Sequence, residues 1–215
     1  LCREALSWRQ LRHSRIVPFL GLDQDVHSPC ICMVSPCMPG GNLLDLVKLL
    51  RCERLSNISM QLVDTLEGLR FLHSEGYIHG DLRAANVLLD ADGHACLADF
   101  GLISFLEGAD QSTMCGGNPR WMAPELVISD NFQRTRASDM YSFGCVCLEI
   151  ITLQPPFPEM RIPSAIIRAL MEGRRPIRPA NKQCIVPVLH ENLWKIVESC
   201  WNANPGDRPS ASQAL

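Results

Sequence analysis

Three oxygen-bearing side chains stand at spacings that could assemble one reacting centre. Asp81 lies in the run His79-Gly80-Asp81-Leu82-Arg83-Ala84-Ala85-Asn86, so that Asn86 follows it by five residues, and Asp99 follows by eighteen in Asp99-Phe100-Gly101. A loop carboxylate can accept the proton of a hydroxyl group. An amide oxygen and a second carboxylate are donors suited to Mg²⁺, a hard cation. Together these are the parts that transfer of a metal-held phosphoryl group to a hydroxyl requires. The plainer role for any single loop aspartate is a turn cap, which does not account for three oxygen donors in this order.

The cysteines offer a competing chemistry, metal or redox, because there are eleven of them. The number is odd, Cys30/Cys32 and Cys145/Cys147 stand two apart, and no C-x-x-C pair occurs. Zinc centres normally use such pairs with further His or Cys partners. The expected state is buried, reduced thiols in a cytoplasmic protein. Charge narrows the classes further. The balance of 20 Lys+Arg against 23 Asp+Glu gives a net −3, which disfavours a dedicated nucleic-acid binder. A length of 215 residues with 47% hydrophobic and 20% charged residues suits one folded domain or a lopsided pair. Apolar stretches such as Phe143 to Leu148 are far shorter than the roughly 20 residues of a membrane span. No signal peptide opens the chain. It starts at Leu1, in what already reads as mid-helix, so a fragment, or a processed or mispredicted start, is expected.

The elements that must position these residues can be read in outline. Leu6, Trp8 and Leu11 mark a short helix over residues 3–12, broken at His13 to Arg15. Ile16 to Leu22 and Cys30 to Ser35 read as two strands. Pro39-Gly40-Gly41 reads as a hinge, after which Asn42 caps a helix running toward Leu50. Leu62, Leu66, Leu69 and Leu72 fall at helical spacing over Ser59 to Ser74, with Gly76 as the stop. Short strands are predicted at Val87 to Leu89 and Ala95 to Ala98, joined through an Asp-Gly turn. Gly101 to Arg120 shows no period and reads as a long functional loop. Helices return at Ala137 to Leu153, Ser164 to Glu172 and Glu191 to Trp201. A small mixed part before the hinge and a larger helical part after it would leave a cleft for a ligand between them.

Further runs stand in order along the chain: Ala123-Pro124-Glu125, Asp139-Met140-Tyr141-Ser142-Phe143-Gly144, and Cys200-Trp201 followed by Asp207-Arg208-Pro209. With the Asp81 and Asp99 motifs, this series resembles the protein-kinase family over essentially the whole chain. Arg3-Glu4-Ala5-Leu6 with Trp8, and Trp121-Met122-Ala123-Pro124-Glu125, resemble the tyrosine-kinase-like group. The His79-Gly80-Asp81 variant is similar to that group's expansion in mushroom-forming fungi. The resemblance implies an α+β, two-lobe kinase-like fold. Residues 1–38 would be a partial small lobe and 39–215 a mainly α-helical large lobe. It implies ATP and Mg²⁺ as cofactors and a protein substrate, with no nucleic acid and no membrane segment involved. Serine or threonine is favoured over tyrosine as acceptor, although Arg83-Ala84-Ala85-Asn86 suits either.

The same resemblance assigns roles. Asp81, Arg83 and Asn86 would be catalytic, and Asn86 and Asp99 would hold the metal. Ser35 would be the gatekeeper, and Met38 would offer backbone contacts to the adenine. Pro36 keeps only its carbonyl, and Asn42 would lie near the ribose, with Leu88 completing the cofactor set. Glu125 should pair with Arg208, and Asp139 should brace the catalytic loop. Trp8, Phe19, His79 and Phe100 should stack to align the lobes.

Three departures qualify the resemblance. Glu4 matches the glutamate that pairs with the nucleotide-binding lysine, yet neither that lysine nor a Gly-rich loop lies in the chain. Lys48 and Lys182 are on the wrong side of the hinge to replace it, so part of the electrostatic catalysis is missing. Gly80 replaces the arginine that meets a phosphorylated loop, so activity should not require phosphorylation of Ser112 or Thr113. Asn118 stands where a threonine usually bonds the catalytic aspartate. These features support a second reading, a pseudokinase-like scaffold that acts by binding proteins. The strand at Cys30 to Ser35 would also keep an unpaired apolar edge, which predicts poor solubility of the isolated chain.

Overall fold

The computed structural model describes residues 2–26, 28–49, 58–99, 104–105, 117–128, 133–180, 184 and 191–215. Phe100, Gly101, Ser112, Thr113, Cys115 and Lys182 lie outside them, as does the side chain of Glu4. The chain opens with α1 (Cys2–Gln10), then an antiparallel pair, β1 (Gly21–Asp23) and β2 (Cys32–Val34), with Leu22 opposite Met33. Ile16 and Val17, expected in the first strand, instead pair with the backbone at Leu97. The Val17 N–H donates to the Leu97 carbonyl at 2.9 Å, and Leu97 N–H donates to Arg15 O at 2.9 Å. Pro18 follows without an N–H, and bonding to β2 begins where the Leu20 N–H donates to the Val34 carbonyl at 2.9 Å.

After the hinge come α2 (Leu43–Leu49) and α3 (Ile58–Ser74). Asn42 caps α2 as expected, its Oδ1 accepting the Asp45 N–H at 2.9 Å. Next are β3 (Tyr77–Ile78), a 3₁₀ turn (Ala84–Asn86), β4 (Val87–Leu89) and β5 (Ala95–Leu97), the last two antiparallel. β6 (Ser104–Phe105) pairs with β3, a strand inside the predicted loop. Two residues are too few to show alternation, so only its partner identifies it. The helical remainder is α4 (Glu125–Ile128), α5 (Arg136–Thr152), α6 (Pro163–Met171), α7 (Glu191–Cys200) and α8 (Ala211–Ala214).

The core is organised around α5, which is buried on nearly every side from Ser138 to Ile151, as an all-round apolar helix must be. A capping box fixes its start, with Thr135 and Ser138 exchanging side-chain-to-backbone bonds. Gly144 lets α7 approach: a Cβ there would lie 2.7 Å from Trp201 Nε1 and 3.1 Å from Cys200 Cβ. Of the described cysteines, Cys96, Cys145, Cys147 and Cys200 are buried and free. Burial pushes the Cys96 thiol up to about 11, so these groups stay protonated. Cys30 and Cys37 correct the expectation of uniform burial, since both are exposed on the short segment around β2. Among the described residues, no helix is long and apolar enough to cross a membrane.

Candidate active site

The loop between β3 and the 3₁₀ turn is held from below by α5. Asp139, 1% exposed, accepts the His79 N–H at Oδ2 and the Gly80 N–H at Oδ1, each at 2.9 Å. His73 Nε2 lies 2.9 Å from the same carboxylate. Burial pushes the Asp139 carboxyl up, but the His73 bond, the nearby histidine charges and the Gly80 N–H outweigh it and hold the group below 3.8. Gly80 sits at φ 80, where a side chain is strained. His79 is fully buried, its Nε2 3.1 Å from Ala98 O and its Nδ1 accepting the Asp81 N–H at 3.3 Å. Those partners fit a neutral ring protonated at Nε2, and burial holds its pKa below 6.5.

This scaffold brings the three predicted oxygen donors together. Asn86 Nδ2 donates to the Asp81 carbonyl at 2.9 Å and to Asp81 Oδ2 at 3.1 Å. The Ala98 N–H donates to Asn86 O at 2.9 Å, which sets Asp99 beside the Asn86 backbone. Asp99 is exposed and left-handed at φ 60, a conformation a non-glycine residue holds at a cost. Arg83 Nε flanks Asp81 Oδ2 at 3.5 Å. Burial raises the Asp81 carboxyl above 3.8 against the pull of Arg83, and the charge of Asp99 raises it further. An exposed carboxylate beside an amide oxygen fits Mg²⁺, which takes few protein ligands and keeps waters and phosphates for the rest. Among the described residues, no group of three or more His, Cys, Asp or Glu is placed to hold a metal ion.

Two of the predicted cofactor residues, Asn42 and Leu88, meet on β4. The hinge is bonded onto that strand through Gly40 N–H to Leu89 O (3.1 Å) and Leu89 N–H to Gly41 O (2.9 Å). Asn42 and Leu88 form an antiparallel bridge. Gly40 is required there, because a Cβ would lie 2.5 Å from Leu89 Cβ. Met38 is partly buried against the core, and its carbonyl accepts the Gly41 N–H at 3.1 Å. Ser35 directly follows β2 and is half-buried. Asn42 has its side chain occupied by Asp45, including Nδ2 to Oδ2 at 2.8 Å. Lys48 is likewise engaged by Asp45, at 2.9 Å on the exposed side of α2.

Of the expected supporting contacts, the Glu125–Arg208 pair and the Trp8–Phe19 ring contact are seen, while Phe100 of the expected stack lies outside the described residues. Arg208 meets Glu125 through two bonds, 2.6 and 2.7 Å, with its side chain fully buried. The Trp8 and Phe19 rings are 5.3 Å apart. Asn118 uses Oδ1 for the Arg120 N–H at 3.2 Å, within its own turn.

Two residues escaped the sequence reading. Glu149 on α5 is 5% exposed and accepts both the Ala84 N–H and the Trp121 Nε1–H at 3.1 Å, tying the 3₁₀ turn to the 117–125 segment. The signal was available, as a lone acid on the buried apolar stretch of a helix. Arg134, just before the α5 cap, is 7% exposed and feels the charges of Asp139 and Asp81. No spacing pointed to it.

The family model for protein tyrosine and serine/threonine kinases matches residues 1–215. The chain is 31% identical over 218 residues to mitogen-activated protein kinase kinase kinase mkh1 of Cytospora mali, covering 100% of this chain and 12% of that protein. It is 30% identical to serine/threonine-protein kinase STY46 of Arabidopsis thaliana, covering 99% and 35%. It is also 30% identical to human receptor-interacting serine/threonine-protein kinase 1, covering 98% and 32%. The chain thus spans about a third or less of the length of these relatives.

Proposed function

We propose that this chain, which belongs to the protein tyrosine and serine/threonine kinase family, transfers the terminal phosphoryl group of ATP to serine or threonine hydroxyls of a protein in the cytoplasm. Family membership makes it a protein kinase domain of α+β architecture. The acceptor preference is supported by relatives whose names read serine/threonine-protein kinase. The tyrosine-kinase-like assignment, nearest in pattern to the fungal expansion, rests on Trp121 to Glu125 and the His79-Gly80-Asp81 variant. We take residues 1–38 and 39–215 as parts of the two lobes.

The observation that carries the reading is the convergence of Asp81, Asn86 and Asp99. Asp81 would orient the acceptor hydroxyl and take its proton as the oxygen bonds to phosphorus and the bond to ADP breaks. Asn86 holds the Asp81 carboxylate in place through Nδ2, leaving Oδ1 as an acceptor. Asn86 and Asp99 would hold Mg²⁺, which when bound offsets charge on the phosphates. Arg83, 35% exposed, would reach the transferring phosphate from beside Asp81. Met38, Asn42 and Leu88, linked along β4, would seat the nucleotide with Ser35 behind it.

The test is phosphate incorporation into casein, followed by phosphoamino-acid analysis. Phosphoserine or phosphothreonine that disappears in Asp81→Asn supports the reading. Incorporation unaffected by Asp81→Asn overturns it. A second reading, a scaffold that binds proteins without turnover, is supported by Gly80, by the local bonding of Asn118 and by the occupation of Lys48. Nucleotide binding without any incorporation would favour it.

A further inference from the structure

Two arginines are buried among the described residues, and they are placed differently. Arg208 has its own carboxylate in Glu125. Arg134, buried directly before the Thr135 cap of α5, lies in the field of Asp139 first and of Asp81 second. A buried cation is costly unless carboxylates offset it, so the two aspartates account for its charge. They do not account for its reach. The guanidinium end meets the 117–122 segment, where a Cβ built at Gly117 would lie 3.8 Å from Arg134 Nη2. That segment borders the reacting loop. Its Trp121 indole shares Glu149 with the Ala84 N–H, and its Trp121 carbonyl accepts the Ser142 hydroxyl at 2.8 Å. These bonds fix its later half on α5. In its first half, Asn118 spends Oδ1 on the Arg120 N–H at 3.2 Å, within its own turn, and Gly117 has no side chain to anchor it. Arg134 stands where this first half, Asp139 beneath the loop and Asp81 in it come together.

We propose that Arg134 is a positioning residue for phosphoryl transfer: its guanidinium clamps the start of the 117–122 segment onto the Asp81 loop, so that the surface beside the reacting carboxylate is preformed. The kinetic consequence rests on the kinase reading above, whereas the clamp itself is a property of the folded chain. A guanidinium suits the task, because it is planar, always charged and presents its N–H donors in a rigid fork. It also acts from the start of α5, whose first turn already holds the loop through Asp139. Loop and segment are thereby anchored on one helix. A wall fixed in advance lowers the cost of bringing an acceptor hydroxyl to Asp81 in the right direction.

The test compares the 215-residue wild type with Arg134→Met, which keeps an unbranched side chain without the charge, and Arg134→Lys, which restores a cation. Amide hydrogen exchange read by NMR needs no nucleotide. It reports on the Arg120 and Trp121 N–H groups, which donate to Asn118 Oδ1 and Asn118 O. Arg134→Met is expected to speed exchange at these two amides at least about tenfold, while the amides of α7 keep their wild-type protection. In casein assays it should lower kcat/KM for casein at least about tenfold and leave KM for ATP unchanged. Arg134→Lys should recover most of both effects. Unaltered exchange in Arg134→Met, faster exchange spread equally over α7, or an Arg134→Lys chain no better than Arg134→Met would overturn the proposal. So would a loss of ATP affinity as large as the loss for casein, the mark of a general loosening. A wild type that shows the expected exchange differences but does not phosphorylate casein would remove the kinase reading, and the kinetic role of Arg134 with it, while leaving the clamp in place.

Discussion

Asn86 donates the same Nδ2 to two oxygens of Asp81, the backbone carbonyl at 2.9 Å and carboxylate Oδ2 at 3.1 Å. One side chain thereby fixes both the path of the loop and the direction of its carboxylate. Removing it should cost chemistry more than folding. If the proposed function holds, Asn86→Ala is expected to lower turnover at least about a hundredfold, through lost orientation of Asp81 and loss of the proposed metal donor. Its effect on stability should be about 1–2 kcal/mol by urea denaturation, the range for one or two hydrogen bonds.

Asp139 should behave in the opposite way. Asp139→Ala leaves the His79 and Gly80 N–H groups without their acceptor beneath the loop. A loss of about 3–5 kcal/mol is expected, the usual result of breaking a buried charged network. The folded-state pKa lies below 3.8, so the carboxylate contributes stability that is complete above that value and is lost as pH falls through the lower folded value. Acid unfolding curves of Asp139→Ala should therefore be flatter in that window than wild type.

Glu149 has the reverse linkage. Burial raises its carboxyl above 4.5 in spite of the bonds from Ala84 and Trp121. Its contribution is fully present below 4.5 and is lost as pH rises through the raised folded value. Glu149→Gln keeps a carbonyl acceptor and carries no charge. It should match or exceed wild-type stability at neutral pH and remove that part of the pH dependence. Glu149→Leu strands two donors and should destabilise by about 1–3 kcal/mol for each.

Gly144→Ala probes the contact of α5 with α7. The new Cβ would fall 2.7 Å from Trp201 Nε1, so the Trp201 ring or one of the helices must shift. A loss of about 1–3 kcal/mol is expected from overpacking, read as a lower urea midpoint with unchanged slope.

Much of this architecture was legible because several sequence signals agreed. The leucines of α3, the Asn42 cap and the Asp-Gly turn between β4 and β5 each report a local constraint, and each element formed within a residue or two of its expected limits. Glu125–Arg208 and Asp139 were reachable only through motif order, since about 80 residues separate the first pair. What stayed hidden depended on distant partners. Ile16 and Val17 have strand-like residues, but Leu97 claims their backbone. β6 exists through β3, and Glu149 gains its role only once Ala84 and Trp121 are folded against it.

The most direct test of the proposed site is the melting temperature of the chain with ATP alone, Mg²⁺ alone and both together, for wild type and Asp99→Asn. Asp99 is exposed, so the substitution should leave the unliganded melting temperature unchanged. The account predicts a rise with Mg²⁺ and ATP together that Asp99→Asn abolishes, because only the folded state binds the pair. An equal rise in both proteins, or none in wild type, would contradict a metal–nucleotide site built on Asn86 and Asp99.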